Sequence, residues 1–86
     1  MKVKENIFIQ EMDGTQYLAS VGGELFSGIV RCNPTAAFVI NLLREERTMD
    51  EIVEAMKKEY GVPEAVLRED AAELIDSLRS LNVIQG

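Results

Sequence analysis

Few side chains in this chain are placed to do covalent chemistry. There is no histidine, which removes the commonest general base, the commonest metal ligand and every histidine-activated nucleophile. The one cysteine, Cys32, has no neighbour in sequence that would activate it and reads as a small buried hydrophobe. Ser77, in Asp76-Ser77-Leu78, is of a type that can carry a prosthetic arm. It falls late inside a long helical pattern, where the expected state is a solvated hydroxyl. The carboxylates Glu64, Glu69, Asp70 and Glu73 recur at helix-surface spacing, where an ion pair contributes only tenths of a kcal/mol. Asp70 is the one of interest, because it adjoins the apolar stripe at Ala71. These residues point away from an enzyme.

Composition sets further bounds. The chain has 86 residues, 47% of them hydrophobic and 28% charged, which suits a single domain, 1–86, with no linker or repeat. A lone cysteine forms no internal disulfide, and the simple reading is cytoplasmic. No signal peptide is expected, and the apolar run Ala36–Leu43 is far too short to span a membrane. A net charge of −6 disfavours nucleic acid and anionic membranes as partners. No cofactor and no metal are expected.

The chain changes character at Gly28–Ala37. Ile29–Cys32 favours a strand through its β-branched residues. Asn33 is a good N-cap, and Pro34 suits the first helical position. Before this point Asn6–Met12 and Thr15–Val21 read as strands around Asp13-Gly14, a type I′ hairpin signal. That turn pairs Ile9 with Leu18 and Phe8 with Ala19. Gly22-Gly23 ends the second strand, and Leu25 and Phe26 are expected to tuck inward from the following loop.

Three helices are expected after it. The first runs over Pro34–Arg44, with Ala36, Ile40 and Leu43 one turn apart. The second opens at the capping box Thr48-Met49-Asp50-Glu51, carries Ile52, Val53, Met56 and Tyr60 at helical spacing, and stops at Gly61. The third runs from Pro63 to Leu81 with the stripe Leu67, Ala71, Leu74, Ile75, Leu78. Asn82 ends it in the left-handed region, and Val83-Ile84 then folds back onto the core or pairs weakly. The fold class is α+β: a three-stranded antiparallel sheet followed by three helices, in a winged-helix-like arrangement. Ile29–Cys32 is then the third and edge strand, with unpaired main-chain groups open to an added peptide strand or to a second copy of the chain.

Two resemblances bear on function. An acidic, largely helical chain with Asp-Ser-Leu looks like an acyl carrier protein, but there the motif opens a helix near mid-chain. More of the chain resembles the PqqD-like family. The matching pieces are Asn33-Pro34-Thr35-Ala36-Ala37, Leu42-Leu43, Thr48, Glu51-Ile52-Val53, Tyr60, Asp70, Leu74-Ile75, Leu78 and Val83-Ile84. Departures are Cys32, where the family has a larger apolar residue, and the absence of glycine after the first helix and at Asn82.

This resemblance implies a non-catalytic chaperone, or recognition element, for ribosomally made and later modified peptides. The leader segment of a precursor would add beside the third strand and lie against the last helix. It would then be presented to a modifying enzyme, commonly a radical S-adenosylmethionine maturase. The implied contacts are Ile29, Val30, Arg31 and Cys32 on the strand side. On the helix side they are Leu67, Asp70, Ala71, Leu74, Ile75 and Leu78. The acidic balance favours a leader with basic residues. The alternative is a winged-helix nucleic-acid-binding or transcription-regulator-like domain. Against it, the last two helices carry Lys57, Lys58, Arg68 and Arg79 among a larger number of carboxylates.

Overall fold

The structure, a computed structural model, describes residues 1–20 and 30–85. In chain order the elements are β1 (Lys2–Val3), β2 (Ile7–Met12), β3 (Thr15–Ser20), β4 (Val30–Cys32), α1 (Pro34–Leu42), α2 (Met49–Tyr60), α3 (Glu64–Ser80) and β5 (Ile84–Gln85). The sequence expectations on Val21, Gly22-Gly23, Leu25, Phe26, Gly28 and Ile29 lie outside the described residues.

The main sheet is antiparallel in the order β2-β3-β4. Asp13 and Gly14 take φ of 53° and 79°, which is what a type I′ turn demands of its two central residues. The register therefore pairs Ile9 with Leu18 and Phe8 with Ala19, as the hairpin signal implies. Leu18 in turn opposes Val30, so Ile9, Leu18 and Val30 form one row facing the helices. Tyr17 opposes Arg31 on the outer face.

The helices begin where local chemistry says they should. Asn33 accepts a hydrogen bond from the Ala36 amide at 2.7 Å, and Pro34 occupies the first turn of α1. In α2 the Thr48 hydroxyl accepts from the Glu51 amide at 3.2 Å, while the Glu51 carboxylate accepts from the Thr48 amide at 2.9 Å. Gly61 ends α2 at φ 63°. At the end of α3, Asn82 takes φ 60°. The Asn82 amide donates to Arg79 at 3.0 Å and the Val83 amide to Leu78 at 3.2 Å. This is a Schellman motif built on asparagine instead of glycine.

Boundaries differ from expectation at three places. Helix α1 stops at Leu42, short of Arg44, because the Arg44 and Glu45 amides reach back only three residues, to Asn41 and Leu42; such bonds tighten a last turn and end it. Pro63 is the N-cap residue of α3, not its first helical residue, and Leu81 is its C-cap. Most of the difference lies in the N-terminal residues, for which the sequence reading had no strand. Lys2 and Val3 pair with Gln85 and Ile84 as a separate two-stranded sheet. The Val3 amide donates to the Leu43 carbonyl and the Lys4 amide to Val83, both at 2.9 Å. The Met1 ammonium donates to the Arg47 carbonyl and pairs with Glu46. Both described ends of the chain are thus tied to the α1–α2 connection.

One core joins all of this. It includes Val3, Ile7, Leu18, Val39, Ile40, Leu43, Ile52, Val53, Met56, Leu67, Ala71, Ile75, Leu78 and Val83. Phe38 and Tyr60 meet edge to face, with ring centroids 5.6 Å apart, and join α1 to the end of α2. None of the buried side chains described is polar or charged.

Two stability changes follow. Thr48→Ala removes one half of the capping box and should lower unfolding stability by about 1 kcal/mol, read as a lower urea midpoint at unchanged slope. Asn82→Val should cost about 1 kcal/mol or more, because a β-branched residue resists the left-handed region. Asn82→Gly, which tolerates that region, should cost nothing by the same measurement.

Candidate functional site

Strand β4 pairs with β3 on one side and with no described strand on the other. Its alternation decides what each side chain does. Val30 is half-buried and packs against the core, Arg31 is exposed on the outer face, and Cys32 is buried. Directly after it, Asn33 sits between two shallow hollows. One, of about 450 Å³, is lined by Gly14, Thr15, Gln16, Arg31, Cys32, Asn33 and Pro34. The other, of about 420 Å³, is lined by Asn33, Thr35, Ala36, Asp70, Glu73, Leu74 and Ser77. The second is a groove between the start of α1 and one face of α3. It begins at Asn33, the residue that follows β4.

Helix α3 divides the residues expected on the helix side into two groups. Leu67, Ala71, Ile75 and Leu78 are at most 3% exposed; they hold α3 on the core and do not line the groove. Asp70 and Leu74 line it, Asp70 exposed and Leu74 half-buried. Of the strand-side residues, Arg31 and Cys32 line the first hollow, Val30 contributes to the core, and Ile29 is outside the described residues. Glu73 and Ser77, which helix-surface spacing alone marks as solvated positions, also line the groove. The signal was present: Asp70, Glu73, Leu74 and Ser77 recur at three- and four-residue spacing, on one helical face.

The exposed cations of α2 and α3 are largely committed elsewhere. Arg68 reaches Asp50 at 2.8 Å and Glu64 at 3.2 Å. Lys57 also reaches Glu64 at 3.2 Å and Glu54 at 3.8 Å. The hydrogen bonds from Lys57 and Arg68 hold the Glu64 carboxyl below its ordinary value, and those to Asp50 and Glu64 raise Arg68. This cluster laces α2 to α3 and leaves little positive charge for a phosphate backbone. Cys32 is the other shifted group. Burial pushes its thiol up, opposed by a backbone hydrogen bond from Leu18. Among the described residues no group of three or more histidine, cysteine, aspartate or glutamate side chains is placed to hold a metal ion. No described helix is long and apolar enough to cross a membrane.

Comparison with known proteins bears directly on this arrangement. The family described as Coenzyme PQQ synthesis protein D (PqqD) matches residues 10–84. The chain belongs to the PqqD family. Among solved structures, one described as TbiB1 in complex with the TbiA(beta) leader peptide superposes at a TM-score of 0.79. It is 20% identical, and the match covers 100% of this chain and 96% of the other. That likeness establishes the same fold: a three-stranded antiparallel sheet followed by three helices. No curated protein matches the chain. Cys32 ends β4 and lines the first hollow.

The Cys32 thiol gives a direct check on the packing of β4. It should alkylate with iodoacetamide more slowly than free cysteine at pH 8 and speed up only above the ordinary thiol range, while urea unfolding should abolish the protection. The folded thiol holds its proton more tightly than the unfolded one. Its contribution to stability is therefore present below the ordinary thiol pKa and is lost as pH rises through the raised folded value.

Proposed function

We propose that this protein is a non-catalytic peptide chaperone: a recognition element that captures the leader segment of a ribosomally synthesised precursor peptide and presents it to a modifying enzyme. The observation that carries the reading is β4, which pairs with β3 on one side and with no described strand on the other, and is followed at Asn33 by a groove whose far wall is the Asp70–Leu74 face of α3. Membership of the PqqD family supports it, as does the fold shared with a protein whose structure holds a leader peptide.

The mechanism is β-strand addition. Main-chain groups of the leader pair with the open side of β4 and supply affinity with little demand on sequence. Side chains that fall between β4 and α3 supply specificity. The bound leader is then a rigid handle, and the unbound remainder of the precursor is free to enter the active site of a partner enzyme of the radical S-adenosylmethionine type. In this reading the protein works in the cytoplasm and needs no cofactor. A second copy of the chain would use the same edge and compete with the peptide, so dimer and complex would exclude one another.

The test is a titration of isotopically labelled protein with leader peptides encoded near its gene. Shifts should concentrate on Val30–Cys32 and on Asp70, Leu74 and their neighbours in α3; their absence with every such peptide would sink the reading. Proline scanning adds the mechanism. Of Val30→Pro and Arg31→Pro, the one whose amide faces the open edge should weaken binding about tenfold, roughly one main-chain hydrogen bond, with its circular dichroism unchanged. The other removes a bond to β3 and should destabilise the sheet. Leu74→Asp should also weaken binding, with circular dichroism establishing that the half-buried position tolerates the charge.

A further inference from the structure

The α3 wall of the groove carries two carboxylates, Asp70 and Glu73, with no cation among the described lining residues. Asp70 and Glu73 are three residues apart, so their Cβ atoms are neighbours at about 5–6 Å. Both are exposed, both line the groove, and neither forms an ion pair among the described residues. The carboxylates on the α2–α3 seam, Asp50, Glu54 and Glu64, all have a cation. Glu69 and Asp76 are also exposed without an ion pair, but they do not line the groove. The cations of α3 cannot relieve the pair: Arg68 is held by Asp50 and Glu64, and Arg79 approaches Met1 at the far end of the helix. No cationic side chain is among the described residues that line this hollow.

Beside the two carboxylates is an apolar floor. Leu74 is half-buried and shares the groove with Ala36, and the hydroxyls of Thr35 and Ser77 stand at its margins. A peptide paired with β4 sends alternate side chains to the helix side, those opposite Val30 and Cys32. We propose that this wall selects a leader segment with a lysine or arginine beside an apolar side chain. The apolar group rests on Leu74, and the cation lies between Asp70 and Glu73. The proposal rests on the peptide-capture reading and deepens it, naming the class of peptide. An acidic leader would set like charges against the wall, a costly arrangement that discriminates as strongly as the attraction does.

Random peptides displayed on phage test both readings separately, using the folded wild-type protein and the double variant Asp70→Asn with Glu73→Gln. Wild type should enrich lysine or arginine next to an apolar residue, and the enriched peptides should shift the resonances of β4 and α3. The double variant should lose the basic preference, keep the apolar one, and bind a wild-type-selected peptide about fivefold more weakly. That affinity should fall with added salt for wild type and much less for the variant. Peptides that map to the groove without a basic preference would overturn the proposal and leave peptide capture standing. So would a basic preference that survives in the double variant. If no peptide enriches, or none maps to β4 and α3 while circular dichroism shows folded protein, both readings fall.

Discussion

The hydrogen bond from the Ala36 amide to the Asn33 side chain fixes the point on which the molecule turns. It stops β4 at Cys32 and starts α1 at Pro34 with no linker between them. A strand that ends in a helix cap cannot be followed by a hairpin to a fourth strand. Among the described residues β4 is at the margin of the sheet, paired on one side only. The direct turn also carries α1 back over the row of Ile9, Leu18 and Val30, which places the first turn of α1 beside α3. Edge and groove are both consequences of one junction.

Helix α3 is positioned by the opposite end of the chain. Its last turn closes on Asn82 in a left-handed conformation, so that Val83 is buried and Ile84 pairs with Val3. Val3 in turn bonds to Leu43 at the end of α1. The short β1–β5 sheet thus fixes how α3 lies relative to α1, and with it the width of the groove between them. The core face of α3 is spent on this: Leu67, Ala71, Ile75 and Leu78 are buried and cannot also meet a ligand. The groove is lined instead by the flank of the helix, where Asp70, Glu73, Leu74 and Ser77 follow one another by a turn.

Electrostatics separates the two flanks of that helix. On the α2 side, carboxylates and cations interlock through Glu64 and Arg68. These contacts are exposed and individually weak, but they absorb the positive charge that a winged-helix arrangement would need for nucleic acid. On the groove side Asp70 and Glu73 have no ion-pair partner among the described residues. An overall acidic balance is a blunt property of a chain; its meaning comes from where the unpaired charges are left.

Much of this was legible in the order of residues because it is decided by local chemistry. The Asp13-Gly14 turn, the Asn33-Pro34 start, the Thr48–Glu51 capping box, the Gly61 stop and the left-handed Asn82 each involve atoms within a few residues of one another. Hydrophobic spacing likewise marked which positions of α3 are apolar. It could not say which of them are consumed by the core, since Leu67 and Leu74 differ only in what packs over them. The strand at Lys2–Val3 left no signal, because two residues have no periodicity and their pairing partner lies at the other end of the chain. Glu73 and Ser77 acquire a role only when α1 comes to rest beside α3. The sequence by itself determined the first hairpin, the three helices and most of their caps, through short-range hydrogen bonds and backbone preference. Tertiary structure alone decided which helix flank lines the groove beside the start of α1, because that depends on contacts between residues distant in the chain.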